Sequence, residues 1–337
     1  MPNLNTISKF SFISAFLFVI LAFLSLMIGT ANITFSDILA CISGGEVDEM
    51  KKVILFQMRL PRLVMALIVG MLLATSGVVV QSVFLNPVAD PYIIGIASAA
   101  TFGAVVAYLL KLPDIFYGVF AFFCAAGLSL VIFKLAKKNR SIATLLIIGM
   151  AISAFLGSFT AFATYLIGED SFKITAWLMG YIGSASWSKI LILLPPLMVV
   201  MIYFYTKRHE LNIILSGDEE AKSLGVNVEK SKKNLLIASS LLIGFSVAFT
   251  GMISFVGLII PHTLRMLLKT SSNAILIPTS AVAGGIFLIF CDLIAKNILS
   301  PIEVPIGVVT AFFGAPFFLF LALKSVRGIR CAFALRI

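Results

Sequence analysis

Charged residues are scarce in this sequence, and their scarcity excludes an ordinary soluble protein. They make up 12% of the 337 residues, whereas hydrophobic residues make up 60%; soluble domains carry about 25% charged residues. So much apolar surface requires lipid as a solvent, in which backbone groups pair within helices or a closed barrel. Apolar runs of about 17–25 residues recur, where barrel strands would alternate over about 10. The sequence therefore predicts an all-α, polytopic membrane protein.

Residues that hold metals or carry out covalent chemistry are few and scattered. The two histidines, His209 and His262, stand apart, and the cysteines show no metal-ligand spacing. The sequence has no G-x-x-x-x-G-K-[ST] loop for ATP phosphates, no H-E-x-x-H zinc site and no G-x-S-x-G nucleophile. We therefore expect no catalytic residue, metal or cofactor in this chain. The four cysteines lie in separate regions: Cys41, Cys124, Cys291 and Cys331.

Ten membrane spans are predicted within a single transmembrane domain over residues 1–337. The first is interpreted as a retained span, because it is long for a signal peptide and no small-x-small cleavage site follows it. One helix over 234–268 would measure about 50 Å, so Gly251, Gly257 or Pro261 is expected to break it. Residues 172–187 are interpreted as an outer loop with a surface helix. The spans cover residues 10–29, 60–82, 92–110, 115–135, 141–167, 189–206, 234–250, 252–268, 274–296 and 304–324.

The net charge of +10 comes from basic residues scattered at the ends of the spans. They form no stripe of the kind that binds nucleic acid. Most of the 25 lysines and arginines fall on the side of the N-terminus. The positive-inside rule therefore predicts that both termini are cytoplasmic, in a protein of the cell inner membrane.

Two segments have a similar pattern of two prolines followed by a glycine and a helix: residues 86–91 and 300–305. In the predicted topology they lie near opposite faces of the membrane, as in an inverted repeat, although a chance match explains them equally well. Irregular backbone at this depth lines a cavity or is buried in protein. The third span carries small residues at every fourth position, which predicts close helix packing: Gly95, Ala99, Gly103 and Ala107.

The spans contain few ionisable side chains that could form an ion relay. Asp292 is the clearest carboxylate inside an apolar run, and His262 follows Pro261. Ion-coupled carriers place such groups within the membrane, so their scarcity disfavours a secondary transporter, which stays the alternative. We interpret Asp292 as a partner that locks neighbouring helices. A receptor or structural protein without flux is disfavoured by the proline-broken segments.

The loop over 207–233 has the pattern of two short charged helices. Ser216 and Glu219 have the spacing of a capping box, three acidic residues suit a helix N-terminus, and Gly225 suits its end. A second helix start at Asn227 leads into the seventh span. The loop is either a docking knob for a soluble partner or a simple solvated connector.

The sequence resembles the FecCD-type permeases of ABC importers for ferric siderophores, haem and cobalamin, over residues from about 59 to 324. The order of many separate matches makes the resemblance specific. They are Arg59-Leu-Pro-Arg62, Ser76-Gly77 with Gln81, the motif at 86–91 with Gly95, Gly217-Asp-Glu with Ser223-Leu-Gly225, residues 254–262 with Arg265, then Asp292, residues 303–307 and residues 314–317.

The resemblance implies a homodimer with a central pathway, two cytoplasmic ATPase subunits that use ATP and Mg, and a periplasmic substrate-binding protein. It implies three sets of site residues. The ATPase-coupling set is Gly217, Asp218, Glu219, Glu220, Ser223, Leu224 and Gly225. The binding-protein docking set is Arg59, Arg62 and Lys296. At the third position lysine takes the place of the arginine that the resemblance implies, which keeps the charge but loses the bidentate geometry of arginine. The gate set is Asn86, Val88, Ser141 and Thr144.

The implied activity is alternating access driven by the partner ATPases, with no covalent chemistry in this chain. Family members carry ferric siderophores, haem, cobalamin or oxyanions such as molybdate and tungstate. Because the spans lack a cluster of metal ligands, a bare metal ion is not expected as cargo. The choice among the other cargoes stays open at this stage.

Overall fold

A computed structural model describes residues 4–29, 31–45, 47–87, 89–90, 95–136, 142–167 and 171–334. Within these ranges the chain is helical and contains no strand. A π-helical turn, Ile54–Arg59, joins α3 to α4, so that one continuous helix runs from Glu49 to Val83. The helices are α1 Leu4–Met27, α2 Phe35–Ser43, α3 Glu49–Val53, α4 Leu60–Val83, α5 Ile96–Leu109, α6 Asp114–Ala136, α7 Ile142–Ile167, α8 Ser171–Leu178, α9 Trp187–Thr206, α10 Arg208–Ile214, α11 Asp218–Ser223, α12 Val228–Thr250, α13 Val256–Leu268, α14 Asn273–Asn297 and α15 Ile306–Ala334.

Each predicted span coincides with one apolar helix, and the polytopic all-α prediction is confirmed. Among the described residues, six helices are long and apolar enough to cross a membrane, and four more contribute shorter apolar stretches. The surface helix expected within 172–187 is α8. The structure adds α2 and α3. Helix α2 and the π-helical turn pack with the end of α1 around buried Ile33, Ile38 and Leu55.

Helix α4 lies at the centre of the bundle, where α14, α12, α13 and α9 pack around it. Most of its residues are buried. Two glycine contacts bring the neighbours close: a methyl group on Gly70 would overlap the carbonyl of Gly284, and one on Gly77 would overlap that of Gly257. Small residues let backbones approach in this way in membranes, so α4 is held by direct backbone packing to α13 and α14.

The small-residue stripe of the third span packs α5 against α6, as predicted. A methyl group on Gly103 would overlap the carbonyl of Phe120 in α6. Ala99 and Ala107 are buried. This pair of helices forms one side of the bundle, next to α12.

The long apolar stretch over 234–268 is divided, as predicted, and the break falls at Gly251. Helix α12 ends at Thr250, Gly251 has φ +67°, and α13 begins after Phe255, which has φ +69°. The N–H of Tyr181 donates to the carbonyl of Thr250 at 2.8 Å. Gly257 and Pro261, the other two candidates, lie inside α13.

Candidate functional site

The loop between α9 and α12 folds into a compact unit of α10 and α11, called the docking unit after its predicted role. Its own small apolar cluster contains Ile214 of α10, Ala221 of α11 and Val228 at the start of α12, each buried. Asn227 caps α12 by accepting a hydrogen bond from the N–H of Lys230 at 3.1 Å. Because these contacts fix both helices to α12, the loop has a defined shape, unlike a flexible connector.

The acidic start of α11 is arranged differently from the sequence prediction. The predicted capping box is wrong: the helix is capped by Gly217, which has φ +121°, without a side-chain hydrogen bond. The carboxylates instead form ion pairs, Asp218 with Lys232 at 2.6 Å and Glu219 with Lys222 at 2.7 Å. A backbone φ in this region suits glycine alone, so Ser216 is displaced from the cap.

The tip of the docking unit exposes one large apolar side chain. Leu224 is 68% exposed at the end of α11, and Gly225, with φ +84°, turns the chain there as predicted. An open cavity of about 280 Å³ beside the tip is lined by residues that include Lys207, Glu210 and Lys230. Partial burial opposes ionisation of Glu210, but hydrogen bonds from Lys207 and Ser231 lower the pKa of this carboxyl below its usual range.

The segment that contains the predicted gate residue Asn86 begins where α4 ends; it is called the gate segment after that prediction and is described over residues 84–87 and 89–90. The N–H of Leu85 donates to the backbone carbonyl of Ser82 at 3.3 Å, and the N–H of Asn86 donates to the backbone carbonyl of Gln81 at 3.1 Å. This is the Schellman pattern, but Leu85 occupies its left-handed position with φ +51°, a conformation that costs L-residues about 1–2 kcal/mol. Of the other predicted gate residues, Val88, Ser141 and the side chain of Thr144 lie outside the described residues.

A buried ion triad lies at the opposite end of the bundle. The guanidinium of Arg62 contacts the carboxylate of Asp292 in α14 at 2.9 Å and that of Glu303 at 2.7 Å. The side chain of Asp292 is only 2% exposed and that of Arg62 14%. Asp292 therefore locks α4 to α14, as interpreted from the sequence.

The other two cations predicted to dock a binding protein also have partners within the chain. Arg59 donates to the carbonyls at the end of α1, including that of Met27 at 2.8 Å. Lys296 donates to the carbonyl of Ser25 at 2.7 Å and to its hydroxyl at 3.0 Å. All three basic side chains thus fasten α1, α4 and α14 together at this end. Their docking role stays a prediction.

A second polar contact within the bundle could not be predicted from the sequence. Arg265 of α13 donates to the side-chain oxygen of Gln81, whose amide donates to the carbonyl of Gly257 at 3.1 Å. Both residues appeared only as motif positions, and their pairing across 184 positions leaves no local signal. Across the described residues, no three His, Cys, Asp or Glu side chains gather where they could hold a metal ion.

Several characterised or named proteins are similar to this chain. The uncharacterized ABC transporter permease protein YvrB of Bacillus subtilis is 38% identical, over 84% of this chain and 82% of its own. The hemin transport system permease protein HmuU of Yersinia pestis is 36% identical, over 79% and 82%. The cobalamin import system permease protein BtuC of Halobacterium salinarum is 39% identical, over 82% and 74%.

Solved structures share the fold. One, described as an inward-facing conformation of an ABC transporter of metal-chelate type, superimposes with a TM-score of 0.81 and 32% identity over 94% of this chain and 99% of its own. PsaBC from Streptococcus pneumoniae, in complex with Fab, has a TM-score of 0.57 and 20% identity over 84% and 94%. At that identity the second likeness concerns the fold alone.

Together with the apolar helices, these likenesses define a multi-pass membrane permease of the ABC importer class. The model of the FecCD transport family matches residues 17–324, and the chain belongs to that family. The family resemblance predicted from the sequence motifs is therefore confirmed.

Proposed function

We propose that this chain is the membrane-spanning subunit of a binding-protein-dependent importer for a metal chelate such as haem, cobalamin or a ferric siderophore. The names of HmuU and BtuC, each similar over most of this chain, support this cargo class. Oxyanions such as molybdate and tungstate are further cargoes to test. The permease itself contributes two conformations whose balance is set by its partners, and ATP and Mg are used by a separate ATPase.

The docking unit carries this proposal. The chain has no phosphate-binding loop, so an ATP-driven cycle requires a rigid surface on which ATPase subunits act. The apolar cluster of Ile214, Ala221 and Val228 supplies the rigidity. Leu224 supplies an exposed apolar anchor, the kind of side chain that contributes most when a partner pocket covers it.

The same proposal places the docking unit and both termini in the cytoplasm and the ion triad on the outer side of the inner membrane. The concentration of lysine and arginine around the docking unit supports this orientation. A periplasmic binding protein would then meet the end of the bundle that holds Arg59, Arg62 and Lys296.

We further propose a homodimer that includes α7. Only 17% of the apolar stretch of α7 is buried within the chain. Its exposed residues include small ones, Ala154, Gly157, Ser158 and Ala161. Small residues on an exposed face are typical of helix–helix contacts in membranes, so a second copy is the occupant that suits this face.

Uptake into proteoliposomes tests the proposal. The vesicles would hold the chain and its genomically neighbouring ATPase, with the binding protein outside and ATP inside or absent. The cargoes would be haem, cobalamin, a ferric siderophore, molybdate and tungstate. ATP-dependent accumulation of one cargo is expected. Uptake that does not depend on ATP but is driven by a proton or sodium gradient would instead support a secondary transporter.

Replacing Leu224 with aspartate is expected to reduce ATPase binding at least tenfold, because a charge would replace the exposed apolar anchor. The permease fold should be unaffected, since Leu224 is 68% exposed. Co-purification of the ATPase with tagged permease gives the measurement. Leu215→Asp, at a less exposed position (36%) outside α11, is the control. Equal ATPase recovery with Leu224→Asp and wild type would contradict the anchor role.

Alanine at Asp218, Glu219 and Glu220 together is expected to weaken coupling less than Leu224→Asp does. Two of these carboxylates already pair with lysines of the same chain, and the exposed pair of Glu219 with Lys222 contributes little. ATP-driven uptake by the triple variant gives the measurement. Unchanged uptake would remove this acidic group from the coupling set while leaving Leu224 in it.

A further inference from the structure

A buried polar junction joins the docking unit to α14 and α4. The side-chain oxygen Oδ1 of Asn212, in α10, accepts a hydrogen bond from the backbone N–H of Asn273 at 2.7 Å. The hydroxyl of Ser82 lies 3.2 Å from the side-chain oxygen of Asn273 and 2.9 Å from the carbonyl of Val78 in its own helix, so these two acceptors share one hydroxyl proton. Asn273 and Ser82 are fully buried. Three elements that are distant in sequence thus meet through three polar side chains.

The junction supplies the N-terminal cap of α14 from another part of the chain. Asn273 is the first residue of α14, and the preceding Ser272 makes no side-chain capping hydrogen bond. Asn212 fills that role, so the position of α10 and the start of α14 are fixed relative to each other. A lost cap typically costs about 0.5–2 kcal/mol, so loss of this contact would destabilise the start of α14.

Ser82 connects the same junction to the gate segment. Its carbonyl accepts from the N–H of Leu85, the residue with left-handed backbone at the start of that segment. A shift of α10 that moves Asn273 therefore reaches the turn after α4 through one serine. The Nδ2 of Asn273 is buried without a partner among the described residues, so the junction retains a donor for a rearranged set of hydrogen bonds.

We infer that Asn212, Asn273 and Ser82 are positioning residues that transmit movement of the docking unit to the gate segment. The inference rests on the proposed function, because it requires an ATPase that moves the docking unit. Buried hydrogen bonds are strong in a low-dielectric interior and costly to leave unmade. The three residues of the junction therefore move together or exchange hydrogen-bond partners. In either case a movement of α10 changes the contacts of Ser82 at the end of α4.

The test measures uptake and ATP hydrolysis together in the proteoliposomes described above, with haem, cobalamin and a ferric siderophore as cargoes. Asn212→Leu removes the acceptor, whereas Asn212→Asp keeps it and adds a charge that suits a helix N-terminus. Ser82→Ala removes one hydroxyl with little change in volume. Ser239→Ala is its matched control, because Ser239 is equally buried and its hydroxyl bonds to Leu235 of its own helix.

Asn212→Leu and Ser82→Ala are expected to bind the ATPase and hydrolyse ATP while the cargo imported per ATP falls at least about fivefold, the lower range of allosteric coupling. Asn212→Asp and Ser239→Ala should stay close to wild type. Unchanged import per ATP in Ser82→Ala, or an equal fall in Ser239→Ala, would overturn the inference, and Ser82→Ala decides the matter if Asn212→Leu does not fold. Failure of the wild type to import any cargo with ATP would overturn the proposed function instead.

Discussion

Replacing Arg62 with methionine is expected to destabilise the permease by about 3–5 kcal/mol, the usual cost of removing one partner from a buried ion pair. The change removes the guanidinium that pairs with both Asp292, whose side chain is only 2% exposed, and Glu303. We expect the thermal midpoint of the purified protein in detergent to fall far below that of the wild type. Lys52→Met, which removes an exposed pair with Glu49, should cause little change.

A variant in which all three charges of the triad are removed distinguishes the stabilising role of Arg62 from a role in docking the binding protein. Arg62→Met combined with Asp292→Leu and Glu303→Gln removes all three charges. Replacing both members of a buried ion pair, here Arg62 and Asp292, by apolar residues often costs little stability. Recovery of the midpoint with unchanged binding-protein affinity would restrict Arg62 to its role within the fold. Recovery of the midpoint with lost affinity would support docking. A single Arg62→Met variant as stable as the wild type would contradict the triad's role.

The docking set shows why a charge at the end of a span is difficult to interpret from sequence. The family resemblance implied that Arg59, Arg62 and Lys296 face a partner. In the structure each has acceptors inside the chain, and the acceptors of Arg62 lie 230 and 241 positions away. Periodicity and local spacing cannot reveal pairs at such separations.

The spans themselves were predictable because their signal is local. A helix in lipid satisfies its own backbone groups, so apolar run length located a helix for most of the predicted spans. The break between α12 and α13 falls at Gly251, one of the three breakers expected within 234–268. Gly225 and Asn227 were also correctly interpreted as a helix end and a helix start, because their roles depend on neighbouring residues.

The capping error at Ser216 and the missed junction at Asn212 have one physical cause. A Ser-x-x-Glu pattern predicts a cap only when the backbone before the helix is extended, and here Gly217 takes φ +121° at the cap position. Conversely, Asn212 caps a helix that starts 61 residues later in the sequence. Polar side chains are satisfied by the nearest available group in space, which the chain order alone does not identify.

Replacing Gly77 with alanine is expected to disrupt the packing of α4 against α13, because the added methyl group would overlap the carbonyl of Gly257. Overpacking of a core usually costs about 1–3 kcal/mol, and occasionally more. A backbone neighbour cannot change rotamer to make room, so we expect the upper end of that range. The measurement is the thermal midpoint of the protein together with its yield in the membrane.

Gly127→Ala is the matched control, since Gly127 also lies inside a helix but an added methyl group there would meet no atom within 4 Å. Alanine removes the helix penalty of glycine, about 0.5–1 kcal/mol, so this variant should equal or exceed the wild type in stability. A Gly77→Ala variant that matched Gly127→Ala would mean that α4 and α13 can separate without cost. The central helix would then be free to slide past α13 during transport, and the close packing along α4 would have to be assigned to its glycine contacts with α14.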